Sequence, residues 1–220
     1  MYLSAAINLY TAARSTHGLC DWRFLGAVVN RSSVERQMRP ALPVGVTARV
    51  ERPKLVRAAS GQYVIWAHVQ DSNNASYSNI AVLQASSVGG PYHMATNFFA
   101  DGLISKDSTV FTDTDNRSYF VRDTAHLCDS VSELTPDGLG VHRMCSHTGP
   151  ASAAGYYQSM CRGKYAGPGN GSASHPPWVC EGVCMWRDAV DGRLLMLGSH
   201  LSGWQSNTAM LFVSSEKLGC

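Results

Sequence analysis

Three acidic residues, Glu51, Asp107 and Glu181, occupy similar places in this 220-residue sequence. Each stands 9 to 11 residues before a Gly or Asn that begins a hydrophobic run. Carboxyl groups gathered at one site raise one another's pKa, which prepares one of them to donate a proton near neutral pH. The pattern predicts acid–base chemistry if the three side chains meet. The alternative is that they are unrelated surface or turn carboxylates.

The hydrophobic runs behind the acids are similar to one another. They begin at Gly61, Asn116 and Gly192, and each continues into apolar and β-branched residues. Gly and Asn accept the positive φ that tight hairpin turns require. Each acid is therefore expected near the start of one strand, with a hairpin turn and a second strand following it.

The spacing of these turns predicts the architecture. They are 55 and 76 residues apart, and removing an insertion of about 20 residues from the second gap leaves a period of roughly 50 to 55, typical of four-stranded propeller blades. Residues 80–83 are expected to form an outer strand, and residues 7–10 and 22–26 the outer hairpin of an earlier blade. We predict an all-β fold of the five-bladed β-propeller type, incomplete, with about three to four blades present.

A propeller explains how distant acids meet. The innermost strand of every blade borders the central channel, so residues at matched positions of successive blades converge there. Glu51, Asp107 and Glu181 are thus expected to share one site on the axis.

Residues 1–220 are predicted to form one domain with an inserted Cys-, Gly- and Ser-rich loop at about 135–178. Cys145 and Cys161 are candidates for a disulfide that closes this loop, although pairing cannot be derived from the sequence. Seven cysteines and several Asn-x-Ser motifs indicate an extracellular or secretory location. The first ten residues do not resemble a signal peptide.

Three motifs around the acids resemble glycoside hydrolase family 43, in its galactan 1,3-β-galactosidase-like branch. Glu51 lies in Val-Glu-Arg-Pro-Lys, Asp107 in Ser-Lys-Asp-Ser-Thr-Val-Phe, and Glu181 in Cys-Glu-Gly-Val-Cys-Met-Trp. The motifs keep the family's order and approximate spacing between about residues 7 and 212. One departure is Gly182-Val183, where the family has Ala-Pro after the glutamate.

The resemblance implies inverting hydrolysis of O-glycosidic bonds in a β-1,3-galactan or a related plant or algal polysaccharide. Glu181 would be the general acid, Asp107 would tune it and hold sugar hydroxyls, and Glu51 would bind hydroxyls or help position water. No residue is assigned as the base. An inverting enzyme separates acid and base by about 6.5–9.5 Å to admit water.

Four further residues are candidates for substrate binding. Trp204 and Tyr77 are expected to stack on galactose rings, and Gly203 adjoins Trp204. His68 ends an apolar strand. There it is expected either to bind a sugar hydroxyl or to be a hydrogen-bonded residue of the core. Trp66 is a further candidate for stacking, but its apolar neighbours Val64 and Ile65 favour a place in the core.

Other classes of function remain as alternatives or are excluded. The same propeller without activity would be a carbohydrate-binding protein or a truncated fragment. A zinc site would draw on Cys180, Cys184, Cys161, Cys145, His142 and His147. Only one pair of these has suitable spacing, and Cys184 is expected on a buried strand.

The composition argues against two other classes of protein. The net charge of +2 argues against binding of nucleic acid, and the sequence contains no apolar run of about 18 residues that could span a membrane. No cofactor is implied, no Gly-x-Ser-x-Gly motif supports a serine hydrolase, and the oligomeric state stays open.

Overall fold

The computed structural model describes residues 6–12, 22–38, 48–71, 77–124, 128–147, 180–200 and 209–214. Within these ranges the fold is all-β, with four antiparallel sheets and one short α-helix. None of the helices in the described part is long and apolar enough to cross a membrane.

The four sheets follow one another along the chain, and strands within each sheet are neighbours in sequence. The first has two strands, β1 (Ala6–Ala12) and β2 (Trp22–Asn30), and helix α1 (Arg31–Met38) follows it. The second has β3 (Ala48–Arg57), β4 (Tyr63–Asp71), β5 (Ser78–Ala85) and β6 (His93–Phe98), followed by a 3₁₀ turn at Ala100–Gly102. The third has β7 (Ser108–Thr112), β8 (Ser118–Thr124), β9 (Cys128–Leu134) and β10 (Val141–His147). The fourth has β11 (Cys180–Arg187), β12 (Leu194–His200) and β13 (Ala209–Ser214).

The three predicted hairpin turns are confirmed. Gly61, Asn116 and Gly192 have φ of +84°, +63° and +74° and connect the first two strands of the second, third and fourth sheets. Their amides donate to the carbonyl three or four residues earlier. The repeated Gly or Asn therefore marks the same turn in every repeat, because this conformation disfavours other residues.

Neighbouring sheets pack face to face through apolar side chains. Alternate residues of strand β4 point to opposite faces, and both faces are buried because a neighbouring sheet packs on each side. Ile65 packs towards the first sheet, whereas Trp66 packs against Phe120 of the third sheet. Val183 joins the third sheet to the fourth. Trp66 is 1% exposed and its Nε1 donates to the carbonyl of Gly138 at 2.8 Å, so its predicted place in the core is confirmed.

The first strands of the last three sheets lie side by side. Strand β7 contacts β3 on one side and β11 on the other. This arrangement, with two full sheets between two partial ones, is that of an incomplete propeller, as predicted.

The two partial sheets expose apolar side chains. Tyr10, Trp22 and Phe24 are 52–60% exposed on the first sheet, and Leu211 and Val213 are 57% and 50% exposed on the fourth. In the sheets between them, the corresponding faces are covered by a neighbouring sheet.

The predicted inserted loop requires a correction at its start. Residues 135–140 form a tight turn, in which Thr135 N bonds to Gly140 O at 2.9 Å. Val141–His147 then form β10, the outermost strand of the third sheet. The Gly-, Cys- and His-rich composition concealed this strand, because a sheet edge buries few of its side chains. Residues 148–178 of the predicted insertion, with Cys161, lie outside the described residues.

Candidate active site

Asp107 is the point where three sheets meet. Its carboxylate accepts two hydrogen bonds from Arg52 of β3, from Nε at 3.0 Å and from Nη2 at 2.8 Å. It also accepts one from the backbone N–H of Gly182 in β11, at 3.2 Å. Asp107 directly precedes β7 and is 8% exposed. One carboxylate thus ties together the first strands of the second, third and fourth sheets.

The other two acids occupy matching backbone positions. Glu51 and Glu181 each precede a residue with positive φ, Arg52 at +52° and Gly182 at +63°. At both places the register with the next strand slips, which marks a β-bulge. Bulges redirect side chains and are common beside active sites. The side chain of Glu181 lies outside the described residues, whereas its backbone pairs with that of Ser199.

Glu51 is half-buried between two basic groups. Its Oε1 lies 3.6 Å from Nε of Arg49, and its Oε2 lies 3.7 Å from Nδ1 of His68. His68 stands directly across from Glu51 in β4. The two carboxylate oxygens therefore face different partners.

His68 is 2% exposed and belongs to a buried polar chain. Its Nε2 lies 2.7 Å from Oγ of Ser78. Ser78 in turn donates to the carbonyl of Ser105 at 2.6 Å. Because Ser105 lies two residues before Asp107, this chain connects β4 and β5 with the segment that carries the central acid. Binding of a sugar hydroxyl by His68 stays a prediction.

Tyr77 lies at the same end of the second sheet, just before β5. Its Oη accepts a hydrogen bond from Nδ2 of Asn79 at 2.9 Å, and its ring meets Phe99 edge-on at 5.9 Å. Burial raises the pKa of Tyr77 above its ordinary value, and the bond from Asn79 opposes that rise. The ring is half-buried, so its predicted stacking on galactose stays a prediction. Gly203 and Trp204 lie outside the described residues.

The structure changes one expectation about charge. Only acids were expected at the convergence point, whereas Asp107 is bound there by the guanidinium of Arg52. Its positive charge offsets repulsion between the acids. The position of Arg52, directly after the matched Glu51, was a signal that it lies near the site. Its pairing with Asp107 could not be predicted, because the two residues are 55 positions apart.

A second ion pair joins the third and fourth sheets at the opposite end of their first strands. Arg187 in β11 donates through Nε to Oδ1 of Asp113 at 2.6 Å and through Nη2 to Oδ2 at 2.5 Å. It also bonds to the carbonyl of Gly192. The Arg187 guanidinium holds the pKa of Asp113 below its ordinary value, with help from the bond donated by Thr114 N. This pair positions β11, and with it Gly182, against β7.

A cavity of about 230 Å³ lies apart from the candidate site, between the turns of the second and third sheets. Its lining includes Asn116, Arg117, Glu133 and His142 and none of the predicted site residues. The candidate site is thus defined by converging side chains and not by this cavity.

No three His, Cys, Asp or Glu side chains in the described part of the chain are grouped to hold a metal. Cys184 is a free, exposed cysteine, so its expected place on a buried strand is wrong. Cys184 stands opposite Leu197 in the register of β11 and β12, and Leu197 is 37% exposed. Both side chains lie on the face of the fourth sheet that the third sheet does not cover.

Comparison with known proteins rests on structure. No family model matches the sequence, and no curated protein matches it. The fold is similar to that of an exo-β-1,3-galactanase from Phanerochaete chrysosporium, solved with β-1,3-galactotriose, with a TM-score of 0.69 and 20% identity over 98% of this chain and 42% of that one. It is also similar to an exo-β-1,3-galactanase from Clostridium thermocellum, with a TM-score of 0.71 and 21% identity over 96% of this chain and 40% of that one.

A third similar structure is a glycoside hydrolase family 43 β-1,3-galactosidase solved with galactodeoxynojirimycin. Its TM-score is 0.70 and its identity 18%, over 98% of this chain and 66% of that one. The chain therefore has the fold of family 43 β-1,3-galactosidases and exo-β-1,3-galactanases, and the resemblance noted in its three motifs is confirmed at the level of fold. It spans about two fifths of the length of the first two proteins.

Proposed function

We propose that this chain carries the active site of a glycoside hydrolase that cleaves a β-1,3-galactan, or a related polysaccharide, by inversion. The observation that carries the proposal is the contact of Asp107 with both Arg52 and Gly182 N. These two residues follow Glu51 and Glu181 directly, so all three acid positions adjoin one point. The likeness in fold to β-1,3-galactan-degrading enzymes supports the choice of reaction.

In the proposed mechanism Glu181 protonates the leaving glycosidic oxygen. Asp107, held by Arg52 and by the β11 backbone, tunes the acidity of Glu181 through its own negative charge and accepts hydrogen bonds from sugar hydroxyls. Glu51 accepts hydrogen bonds from sugar hydroxyls or orients the attacking water. Inversion requires that water to approach the face of the sugar opposite Glu181 and to give up a proton to a base about 6.5–9.5 Å from the acid.

Substrate contacts in the proposal come from Tyr77, Trp204 and Gly203, while the buried His68 lies beside Glu51. An aromatic ring stacks on the apolar face of a galactose unit, while carboxylates and amides bind its hydroxyls. The substrate class is supported by the β-1,3-galactotriose and the galactodeoxynojirimycin in the similar structures. A secretory route and a disulfide in the Cys-rich segment belong to the same proposal, because polysaccharides of this kind are extracellular.

The proposal is tested by incubating the purified chain with β-1,3-galactobiose and measuring released galactose. Glu181→Gln is expected to lower the rate by at least about 100-fold, because the amide cannot deliver a proton. Glu133→Gln is the matched control, since Glu133 lies at the far end of β9 beside the turn. Equal activity in wild type and Glu181→Gln would remove Glu181 from the mechanism.

A second candidate is a carbohydrate-binding propeller without hydrolysis. It is favoured by the firm engagement of Asp107 with Arg52 and Gly182 N, which suits a carboxylate that binds hydroxyls, and it requires no base to activate water. Calorimetric titration with β-1,3-galactobiose separates the two functions: binding with no galactose release supports this candidate. Trp204→Ala is then expected to weaken binding, and an unchanged affinity would contradict a stacking role for Trp204.

A further inference from the structure

The buried polar chain at His68 determines where its ring carries hydrogen. The hydroxyl of Ser78 has one proton, and that proton is donated to the carbonyl of Ser105, which can only accept. Oγ of Ser78 therefore accepts from His68 across the 2.7 Å contact. It follows that Nε2 of His68 bears hydrogen in every protonation state of the ring.

The other ring nitrogen then faces a carboxylate. In a neutral imidazole with hydrogen on Nε2, Nδ1 carries a lone pair. Nδ1 lies 3.7 Å from Oε2 of Glu51, and a lone pair facing a carboxylate oxygen is unfavourable. A proton on Nδ1 turns the same approach into a charge-assisted contact.

We propose that His68 is a positioning residue for Glu51: as an imidazolium it holds Oε2 through Nδ1–H, while Arg49 holds Oε1. The consequence for catalysis rests on the proposed function. With a cation beside each oxygen, Glu51 stays an oriented anion that accepts a hydrogen bond from a sugar hydroxyl or from the attacking water. His68 then serves the substrate through Glu51 without touching the sugar.

The charged groups on the neighbouring elements are consistent with this arrangement. Strand β3 contributes Glu51, Arg49 and Arg52, and the segment before β7 contributes Asp107. Arg52 is engaged by Asp107, and β5 offers the neutral Ser78. Burial by itself disfavours an imidazolium, so Glu51 is the group that makes the charged ring favourable.

The contact is tested first without any activity. The titration midpoint of the His68 ring is followed by NMR in wild type and in Glu51→Gln, with His68→Gln used to assign the signal. Removing the carboxylate is expected to lower the midpoint by at least about one pH unit. In Arg49→Gln the midpoint is expected to rise, because a competing cation is lost. A midpoint that does not fall in Glu51→Gln would overturn the proposal.

Two substitutions of His68 then separate positioning from a purely structural role. His68→Gln places an amide N–H near Nε2 and keeps the bond to Ser78, but leaves nothing facing Glu51. His68→Asn places an amide N–H near Nδ1 and keeps the donor to Glu51 without a titrating group. Positioning predicts that kcat falls about tenfold or more in His68→Gln. It also predicts that His68→Asn retains most activity and loses the decline in rate that the wild type shows as pH rises.

The opposite pattern, with His68→Gln fully active and His68→Asn impaired, is what a core residue would give and would overturn the proposal. Thermal unfolding confirms that both variants are folded. If the wild type does not hydrolyse β-1,3-galactobiose, the proposed function fails. The NMR titration in Glu51→Gln then decides the role of His68 independently.

Discussion

Arg52 and Asp107 form a two-pronged ion pair that joins the innermost strands of two neighbouring sheets, although 55 residues separate them. The pair has a half-exposed guanidinium and a carboxylate side chain that is 11% exposed. Asp107 also accepts a hydrogen bond from the backbone N–H of Gly182. The geometry of the whole candidate site therefore depends on the ion pair that holds Asp107 in place.

Replacing Arg52 by Gln is expected to reduce both stability and activity. The change leaves the buried carboxylate of Asp107 with one backbone donor, which costs about 1–3 kcal/mol. Arg52→Lys is expected to recover only part of the loss, because an ammonium cannot reproduce the planar fork. Urea unfolding measures the free energy, and galactobiose hydrolysis or binding reports on the site.

The matched control for Arg52 is Arg193→Gln. Arg193 pairs with Asp191 in an exposed turn, with side chains 50% and 38% exposed. Pairs of this kind contribute about 0–1 kcal/mol, so this variant is expected to unfold much like the wild type. Equal losses in Arg193→Gln and Arg52→Gln would contradict a special role for the Arg52–Asp107 pair.

The Asp113–Arg187 pair predicts how stability depends on pH. Arg187 lowers the pKa of Asp113 in the folded protein, so the pair stabilises the fold above the unfolded pKa of about 3.9. That stability is lost as pH falls through the lower folded pKa. Asp113→Asn is expected to be about 2 kcal/mol less stable at pH 6, and the difference should shrink below about pH 4. Urea unfolding from pH 6 to 2.5 checks this, and a constant difference would argue against it.

Gly182→Ala tests the bulge in β11. Gly182 has φ of +63°, and an added Cβ would meet only Oγ of Ser199, at 3.8 Å. Space is therefore sufficient and backbone strain is the main cost, about 1–2 kcal/mol. Because relief of strain moves the Gly182 amide away from Asp107, sugar binding or hydrolysis is also expected to fall. Gly89→Ala, at an exposed position without positive φ, is expected to leave both unchanged. A neutral Gly182→Ala would show that the bulge is not needed.

Much of the fold followed from local chemistry. Gly61, Asn116 and Gly192 were recognisable because a hairpin turn selects residues that tolerate positive φ. Trp66 was assigned to the core from its apolar neighbours, and the structure confirms it. The three acids were matched by their distance from these turns, and the structure brings Asp107 into contact with Arg52 and Gly182, the residues that follow the other two acids.

Other features could not be predicted because they depend on the assembled sheets. The partners of Asp107 and Asp113 are 55 and 74 residues away, and an ion pair between sheets leaves no periodic signal. Cys184 was expected to be buried because its strand is apolar, but only one face of the fourth sheet is covered. The opposite bias hid β10, whose polar composition resembles that of a loop.

The most direct test of the account uses the methyl β-glycoside of β-1,3-galactobiose, whose second unit leaves as methyl galactoside, and follows by ¹H NMR the configuration of the galactose released in the first minutes. Inversion at the β-linkage predicts that the α-anomer appears first and that the β-anomer grows in only by mutarotation. Initial release of the β-anomer, or no release by the folded chain, would contradict an inverting glycosidase built on Glu181, Asp107 and Glu51.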